Sequence, residues 1–367
     1  MNTFNSRYHR QIILEEIGIT GQNKINNAKV LVIGAGGLGC PILQYLTAAG
    51  VGTLGIIDFD TVDISNLHRQ ILYGTSTLGK NKAVAAKERL EDLNPDITII
   101  AYPEQLTTKN AISIFENYDI IVDGSDNFST RYLVNDASII TGKPLVYGAI
   151  FKFEGQVSVF NYQNGPSYRC LFPEPPKAGS VPNCSEIGVL GVLPGIIGSM
   201  QANETLKIIL GLGNVLSNQL FMYDCLAGTS SSFTTTRVEK EIENVKASAA
   251  YFETIDYDFF CGVSHVSEIT AEMAFQKENV QFIDVREAHE QPKIDILNPI
   301  YIPLGTLQEQ LTSIETNSAI IVFCQSGIRS KKAVEILQSN GFKNVSHVIG
   351  GANALAISMT NLKTNEI

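Results

Sequence analysis

Residues 29–58 read KVLVIGAGGLGCPILQYLTAAGVGTLGIID. The stretch opens with a short β-branched run, passes through Gly34, Gly36 and Gly39 into a helical pattern, and ends in a second apolar run closed by Asp58. A strand, a glycine-rich turn, a helix and a second strand make a β-α-β unit with parallel strands. Strand and helix patterns continue to alternate through the first half of the chain. The sequence therefore predicts a Rossmann-like, doubly wound α/β domain.

The pattern changes further along the chain. After Gly148, strand-rich segments surround a glycine-rich apolar helix near residues 193–212, and we expect them to complete the first domain. Beyond it the chain is charged, then aromatic, without a clean period. A second alternation of helix and strand patterns follows and predicts a smaller α/β domain, in which SEITAEMAFQKEN is helix-like. We therefore expect a first domain, a linker and a second domain at residues 1–240, 241–262 and 263–367.

Composition excludes several classes of protein. The chain has 367 residues, 44% hydrophobic and 17% charged, which is typical of globular proteins and far from the signature of disorder. The net charge is −10, and residues 241–367 carry 9 basic against 16 acidic side chains, which argues against nucleic-acid binding there. We expect no membrane span, and the N-terminus has no small-residue cleavage site, so we expect a cytoplasmic protein.

The glycine-rich turn predicts a nucleotide site. Gly34, Gly36 and Gly39 follow a strand and open a helix, which lets backbone N–H groups approach phosphates closely. Asp58 ends the next strand, where dinucleotide-binding proteins place a carboxylate for the ribose. A nicotinamide-dependent oxidoreductase is therefore the first alternative.

The residues after Asp58 favour a triphosphate instead. The following polar loop and the next helix add amide and cationic side chains: Asn66, Arg69, Gln70 and Lys82. The strand end VDGSDN then presents Asp123 and Asp126 at the sheet edge where open α/β sheets bind ligands, and a carboxylate there suits Mg²⁺ on phosphates. Metal, lysine and arginine together are typical of phosphoryl or adenylyl transfer.

Seven ordered motifs between residues 6 and 262 carry a family resemblance. They are RYHRQIIL, VLVIGAGGLGCPILQYLTAAGVG, DFDTVDISNLHRQ, GKNKA, DGSDNFSTRYLVN, YRCLFPEPP and VPNCSEIGVLGVLPGIIGS. The chain resembles the MoeB/ThiF family, adenylyltransferases related to ubiquitin-activating enzymes, which adenylate the C-terminal Gly-Gly of small sulfur carriers such as MoaD and ThiS. The resemblance implies ATP, Mg²⁺, a carrier protein of this kind and a homodimer.

The same resemblance implies roles for individual residues. Gly34, Gly36 and Gly39 border the ATP phosphates, and Asp58 binds the ribose. Four residues bind or polarise phosphates: Asn66, Arg69, Gln70 and Lys82. Asp126 holds Mg²⁺, and Arg69 and Asp126 are the catalytic residues of this site. Arg10 also reaches a nucleotide, with either Arg10 or Arg69 serving the neighbouring subunit.

Family members hold structural zinc with two C-x-x-C pairs, and this chain breaks both. The first pair reads SYRC, with Ser167 and Cys170, and the second reads DFFC, with Asp258 and Cys261. Two thiolates with a serine and an aspartate make a poor tetrahedral zinc site, so we expect substoichiometric zinc.

Cys184, in VPNCSEIGVLG, matches the family position that forms or resolves a covalent sulfur link to the carrier.

The second domain has a thiol of its own. Cys324 ends a strand in AIIVFCQSGIRSKKAVEIL and begins a six-residue loop that runs into a helix. Successive N–H groups and a nearby cation are able to surround its sulfur and lower its pKa. We expect this cradle to comprise Gln325, Ser326, Gly327, Ile328 and Arg329.

With FIDVREAHE and VIGGANAL, this loop gives residues 263–360 a resemblance to rhodanese-like sulfurtransferases, although the chain has no Trp, which often follows the Gly-Gly. We expect Asp284 and Arg286 to form a structural ion pair. His265, His289 and His347 show no ligand spacing and are assigned no role.

The fusion predicts adenylation of the carrier followed by sulfur transfer. A persulfide on Cys324, loaded by a sulfane sulfur donor, attacks the acyl adenylate, and Cys184 then releases the carrier thiocarboxylate. The alternative is an enzyme that only adenylates, with the rhodanese-like domain as a docking or regulatory module. The sequence leaves open whether the carrier serves molybdopterin, thiamine, tRNA thiolation or another product.

Overall fold

The computed structural model describes residues 6–176, 188–262, 267–315 and 318–364, without side chains for 361–364. The chain forms two compact units, Met1–Cys261 and Gly262–Ile367. Cys184 and His265 lie outside the described residues. Within the described ranges, none of the helices combines the length and apolar character needed to span a bilayer.

An eight-stranded sheet forms the centre of the first unit. Its order is β3-β2-β1-β4-β5-β6-β7-β8, parallel from β3 to β5 and antiparallel from β5 to β8. The strands are β1 Lys29–Ile33, β2 Thr53–Ile57, β3 Thr98–Tyr102, β4 Ile120–Asp123, β5 Leu145–Phe151, β6 Glu154–Phe160, β7 Gln219–Asp224 and β8 Thr229–Thr234. The α-helices described before residue 239 are His9–Ile12, Gly18–Asn27, Gly39–Ala49, Lys82–Leu93, Ala111–Phe115, Phe128–Thr141, Tyr168–Leu171 and Val192–Leu210.

Two hydrophobic clusters cover the two faces of this sheet. Successive side chains of β1 alternate between them: Val30 and Val32 pack in one cluster, and Leu31 and Ile33 in the other. This alternation follows from the two-residue period of a strand buried on both faces. Helices on both faces supply the remaining apolar side chains, which confirms the predicted doubly wound fold.

The carboxyl ends of β1 and β4 meet at one edge of the sheet. Ile33 pairs with Asp123 in the parallel register, and the N–H of Gly124 donates to the Ile33 carbonyl at 2.8 Å. The loop after β1 therefore lies against the loop after β4. Because the chain runs to opposite sides of β1 from here, this edge holds the crevice in which such sheets bind ligands.

The segment predicted as a linker is folded onto the first unit. It forms the helices Glu239–Ser248 and Tyr257–Phe260 with a 3₁₀ segment between them. Ile242, Phe252 and Tyr257 are buried against the first unit. Phe252 and Tyr257, two of the aromatic residues that obscured the periodicity, are thus core residues, whereas Tyr251 and Phe259 are exposed.

The second unit contains a five-stranded parallel sheet of order β11-β10-β12-β13-β9. The strands are β9 Ser267–Ile269, β10 Val280–Asp284, β11 Ile300–Tyr301, β12 Ala319–Phe323 and β13 Val345–Val348, and the helices are Ala271–Phe275, Ile328–Ser339 and Gly351–Thr364. The predicted helix SEITAEMAFQKEN is wrong at its start, because Ser267–Ile269 pairs with β13. The helix begins only after Thr270, whose hydroxyl accepts from the Met273 N–H at 3.3 Å.

Candidate functional site

Three glycines of the turn after β1 differ in how much space surrounds them. Gly34 has φ +85°, and a Cβ there would lie 2.9 Å from the Gly124 carbonyl oxygen. A Cβ on Gly39 would lie 2.0 Å from the Gly34 carbonyl oxygen. A Cβ on Gly36 would meet only the Gln70 Nε2, at 3.6 Å. Packing thus explains Gly34 and Gly39, whereas Gly36 borders open space, as the predicted approach of a phosphate to the backbone requires.

The turn is held by hydrogen bonds on either side. The Ala35 N–H donates to Asp58 Oδ2 at 2.8 Å, and the Tyr73 hydroxyl donates to the Ala35 carbonyl, also at 2.8 Å. The second oxygen of Asp58 accepts from the Asp60 N–H. Burial raises the pKa of Asp58 despite these N–H bonds. Each carboxylate oxygen retains a lone pair, so Asp58 is still able to accept from ribose hydroxyls.

Polar and cationic side chains lie beside this turn. Lys82 is 6% exposed, and its Nζ lies 2.9 Å from Asp60 Oδ2. Gln70 is 3% exposed, and its Oε1 has no partner among the described residues. Arg69 donates to the Ser65 carbonyl at 3.1 Å, and its Cδ is 3.7 Å from the Cβ position of Gly37. The structure therefore brings Gln70 and Arg69 to the glycine turn.

Asn66 lies at the end of the same polar loop. Its Oδ1 accepts from the Asp63 N–H at 3.3 Å, within a capping box that closes a 3₁₀ turn at Ile64–Asn66. Its side-chain amide thus has a structural bond, and its Nδ2 retains two hydrogens to donate.

Two acidic residues follow β4. Asp123 is buried, its Oδ1 accepts from the Ser125 N–H at 2.9 Å, and its Oδ2 has no hydrogen-bond partner within the described chain. Burial raises the pKa of Asp123, against the opposing effect of Arg131. Asp126 is exposed. An exposed carboxylate beside a phosphate cradle fits Mg²⁺, which uses one or two protein carboxylates plus phosphate oxygens.

Arg10 lies away from this site. Its neighbour Gln11 donates to the Ala49 carbonyl at 3.1 Å, and Tyr8 packs where a Cβ on Gly50 would stand. Both contacts are at the C-terminal end of helix Gly39–Ala49, ~16 Å along the axis from the glycine turn. Arg10 is exposed there.

An ion-pair network occupies the region of the broken C-x-x-C pairs. Arg169 Nε and Nη2 donate to the two Asp136 oxygens at 2.7 and 2.8 Å, and the Tyr257 hydroxyl donates to Asp136 at 2.8 Å. The Arg169 guanidinium stacks on the rings of Tyr132 and Phe260, with its Cζ 4.8 and 4.9 Å from their centroids. This network joins the segment at 257–260 to helices Phe128–Thr141 and Tyr168–Leu171.

The two remaining cysteines of these pairs have different environments. The Cys170 sulfur accepts from the N–H groups of Ser167 and Val238 at 3.3 and 3.2 Å. Burial raises the pKa of Cys261 to about 11, with a smaller contribution from Asp258. Across the described ranges, no three His, Cys, Asp or Glu side chains cluster closely enough to hold a metal ion.

In the second unit, Cys324 lies directly after the central strand β12. It is 1% exposed, and its Sγ accepts from the Gly327 N–H at 3.2 Å. Burial alone would raise the pKa of Cys324, but hydrogen bonds from Ser330, Ser326 and Gly327 outweigh it and lower the pKa. The loop thus stabilises a sulfur anion, as expected for a reactive thiol.

Other residues fix the shape of this loop. Gly351 has φ +56°, and a Cβ there would lie 2.1 Å from the Cys324 carbonyl oxygen. The Gln325 side chain accepts from Arg286 at 2.9 Å and donates to Asn353 at 2.6 Å. Arg286 also pairs with the buried Asp284, at 2.7 Å, which confirms the predicted ion pair.

Ile328 and Arg329, the last two residues of the expected cradle, differ from the N–H donors nearer the sulfur. Ile328 is 77% exposed at the start of its helix. Arg329 forms a two-point pair with Glu290, at 2.7 and 2.6 Å, and this pair lowers the pKa of Glu290 to about 2. Arg329 is thus held by a carboxylate, and the hydrogen bonds to the Cys324 sulfur come from the loop N–H groups and Ser330.

Sequence reasoning missed two residues near this thiol, Ser330 and His347. Ser330 is fully buried, and its hydroxyl lies 3.3 Å from His347 Nδ1. His347 Nε2 lies 3.2 Å from Glu268 Oε1. Because Glu268 and His347 are 79 positions apart, no local spacing in the sequence indicated their pairing.

A glycine-rich turn beside cationic side chains on a doubly wound sheet and a cradled thiol on a parallel sheet are the features of an adenylate-forming domain joined to a sulfur-transfer domain. The chain belongs to the ThiF family, whose model matches residues 8–246. A rhodanese-like domain matches residues 268–357.

Some similar proteins match only part of this chain, and others match nearly all of it. A sulfur carrier protein adenylyltransferase of Thermus thermophilus is 50% identical over 262 residues, covering 70% of this chain and 96% of that protein. The probable adenylyltransferase/sulfurtransferase MoeZ of Mycobacterium tuberculosis is 39% identical over 96% of this chain and 93% of its own length. The adenylyltransferase and sulfurtransferase MOCS3 of Xenopus laevis is 41% identical over 90% of this chain and 81% of that protein.

A solved structure supports the fold. A crystal structure of E. coli MccB with MccA-N7isoASN matches with a TM-score of 0.56 and 22% identity, over 64% of this chain and 72% of that chain. At this identity the likeness shows the fold alone.

Proposed function

We propose that this protein adenylates the C-terminal Gly-Gly carboxylate of a small ubiquitin-like sulfur carrier of the MoaD/ThiS kind, using ATP, and then converts it to a thiocarboxylate. The observation that carries this proposal is that one chain combines open space beside the Gly36 backbone with a thiol of lowered pKa at Cys324. Relatives named for both activities match nearly the whole chain, which supports this reading.

In the first step, a carboxylate oxygen of the carrier attacks the α-phosphorus of ATP. The bond from that phosphorus to the pyrophosphate oxygen breaks, giving an acyl adenylate and pyrophosphate. The N–H groups around Gly36 and the Lys82 and Arg69 cations hold the phosphates, while Asp58 binds the ribose. Mg²⁺ held by Asp126 would neutralise phosphate charge. Positioning and charge neutralisation carry this step because a carboxylate is already a nucleophile.

In the second step, the terminal sulfur of a Cys324 persulfide attacks the acyl carbon and AMP leaves. A sulfane sulfur donor supplies that sulfur. The product is an acyl disulfide between the carrier and Cys324. The Cys184 thiolate then attacks the Cys324 sulfur, forming a Cys184–Cys324 disulfide and releasing the carrier thiocarboxylate. A cellular dithiol reduces this disulfide before the next cycle.

A homodimer accounts for the position of Arg10. Arg10 is remote from the glycine turn of its own subunit, and exposed apolar side chains follow it closely in the sequence: Ile13, Leu14 and Ile19. Ile64 and Ile71, near Arg69, are similarly exposed. We infer that Arg10 serves the nucleotide site of the neighbouring subunit.

Mixed dimers test this arrangement. Arg10→Ala and Asp126→Ala homodimers should each be inactive in carrier-dependent ATP–pyrophosphate exchange. Mixing them forms heterodimers in which one site is intact, so about half of the wild-type activity per heterodimer should return. Unrestored activity in verified heterodimers would contradict a shared site.

The main experiment follows both products with candidate carriers ending in Gly-Gly. ATP–pyrophosphate exchange reports adenylation, and mass spectrometry reports the thiocarboxylate after addition of thiosulfate. The proposal fails if exchange is absent with carriers of both the MoaD and the ThiS kind. If exchange occurs but Cys324→Ala still gives the thiocarboxylate at the wild-type rate, the second unit is a docking or regulatory module.

A further inference from the structure

A chain of hydrogen-bonded side chains runs from the Cys324 sulfur to the protein surface. Ser330 lies in the first turn of the helix that follows the Cys324 loop, and hydrogen bonding from its hydroxyl and N–H lowers the pKa of the Cys324 thiol. The same hydroxyl lies 3.3 Å from His347 Nδ1, and His347 Nε2 lies 3.2 Å from Glu268 Oε1. Ser330 and His347 are almost completely buried, whereas the Glu268 side chain is 41% exposed. The chain thus links a buried thiol to solvent through one imidazole.

The strand register and one helix turn create this arrangement. His347 pairs with Val322 of β12 on one side and with Glu268 of β9 on the other. Ser330 lies in the first turn of helix Ile328–Ser339, directly after the Cys324 loop. His347 therefore has β12 on one side and β9 on the other, and its imidazole contacts the helix that follows the Cys324 loop.

Few other charges face the imidazole. β12 contributes only apolar residues, and β9 contributes Glu268. From the helix, Lys331 Nζ lies 2.6 Å from Glu268 Oε1. The Arg329 guanidinium next to the loop is paired with Glu290. Glu268 is thus the anion that faces His347, and both Lys331 and His347 lower its pKa.

Hydrogen-bond chemistry permits two matched proton arrangements. With a neutral imidazole, Nε2–H donates to Glu268 and Nδ1 accepts from the Ser330 hydroxyl, whose oxygen accepts from the Cys324 S–H. With an imidazolium, Nδ1–H donates to the Ser330 oxygen, and the Ser330 hydroxyl donates to the thiolate instead of the Gly327 carbonyl, its other acceptor at 3.0 Å. Every donor has an acceptor in both arrangements.

We propose that Ser330, His347 and Glu268 form a proton relay that ionises the Cys324 thiol. The S–H bond breaks as its proton passes to the Ser330 oxygen, while the Ser330 proton passes to His347 Nδ1. The products are a thiolate and an imidazolium, and Glu268 stabilises the imidazolium charge. No electron changes hands. The thiolate is the form that attacks a sulfane sulfur.

This inference deepens the proposed sulfur transfer. It rests on that proposal for what the thiolate does, but not for how the thiolate forms. His347 and Glu268 act through Ser330 and are positioning residues. Their loss should raise the apparent pKa of the thiol and leave the intrinsic reactivity of the thiolate unchanged. A merely structural role would lower the reaction rate at every pH.

The test measures alkylation of Cys324 by iodoacetamide between pH 5 and 10 in the full-length protein, read on the Cys324 peptide by mass spectrometry. His347→Gln keeps a side-chain amide for hydrogen bonding but is unable to take a proton. We expect the alkylation midpoint to rise by about one pH unit, which leaves about tenfold less thiolate near neutral pH, while the plateau at high pH is unchanged.

Glu268→Gln is the second variant, because it lies on an edge strand and is partly exposed, so it should fold if His347→Gln does not. It should shift the midpoint in the same direction by a smaller amount. Lys332→Gln, on the same helix, is the matched control and should keep the wild-type profile. A wild-type midpoint in either test variant, or a lower plateau with the midpoint unmoved, would overturn the relay.

The same variants separate this inference from the proposed function. Thiosulfate-dependent persulfide formation on Cys324 at pH 6.5 should fall by about tenfold in His347→Gln and recover at pH 9. If the wild-type protein forms no persulfide from a sulfane donor, the proposed sulfur transfer fails. The alkylation profile still decides whether the relay exists.

Discussion

Replacing Gly36 with alanine tests whether this glycine is needed to bind phosphate or only to let the turn pack. The added methyl group would meet only the Gln70 side chain, at an ordinary contact distance of 3.6 Å. Its φ lies outside the left-handed region, so the substitution strains nothing. Such a change stabilises a protein by about 0.4–1 kcal/mol through the unfolded chain. The melting temperature should therefore equal that of the wild type or lie up to about 3 °C above it.

Nucleotide binding should respond in the opposite direction. A phosphate oxygen must approach a backbone N–H to about 2.9 Å, and the methyl group occupies that space. Loss of one hydrogen bond to a charged group costs about 1.5–3 kcal/mol, so the KM for ATP should rise between about tenfold and 150-fold. The assays are ATP–pyrophosphate exchange and calorimetric titration with a non-hydrolysable ATP analogue.

Two other glycines calibrate the result. A Cβ on Gly39 would lie 2.0 Å from a backbone carbonyl oxygen, so Gly39→Ala should lower the melting temperature as well as activity. Gly305 has open space at its Cβ position in the second unit, and Gly305→Ala should leave exchange unchanged. Wild-type ATP affinity in a folded Gly36→Ala protein would refute the placement of the phosphates at this turn.

Three further outcomes are expected. Asp126→Ala should abolish carrier-dependent ATP–pyrophosphate exchange, because charge neutralisation by Mg²⁺ contributes several kcal/mol; exchange within a few fold of wild type would remove Asp126 from the site. Purified protein should contain substoichiometric zinc and keep its melting temperature in EDTA, and one tightly held zinc per chain in elemental analysis would contradict this. Asp136→Asn should instead lower the free energy of unfolding by about 3 kcal/mol or more, because it leaves the mostly buried Arg169 without its charge partner. Cys324→Ala should keep adenylation and lose thiocarboxylate formation, and Cys184→Ala should keep adenylation but trap the carrier on Cys324 as a reductant-sensitive conjugate in non-reducing mass spectrometry. If Cys184→Ala releases free thiocarboxylate at the wild-type rate without added thiol, Cys184 does not resolve the acyl disulfide on Cys324.

Local sequence was sufficient where structure depends on neighbouring residues. The β-α-β pattern around Gly34 to Asp58 predicted the parallel sheet, because strand and helix periods are local properties. The Cys324 loop was likewise predicted from its position between a strand and a helix. Its N–H groups converge on the sulfur as a consequence of that loop and of Gly327, whose φ is +101°.

Features that depend on distant pairing were not visible. The helix-like SEITAEMAF segment begins as a strand because β13 offers it an edge, and that edge is about 80 residues away. The partnership of His347 with Glu268 depends on the same register. Arg169 was likewise a plain basic residue in the sequence, because its carboxylate partner and its two stacking rings come from two other helices, Phe128–Thr141 and Tyr257–Phe260.

The anchoring of the glycine turn has a kinetic consequence. Asp58 and Tyr73 hold Ala35 from two directions, and Gly34 lies against the loop after β4. A turn fixed in this way already has its ligand-binding shape, so nucleotide capture requires no prior opening or ordering of the turn. Association of ATP should accordingly be a single exponential process whose rate rises linearly with nucleotide concentration, without the plateau that a slow conformational step would impose.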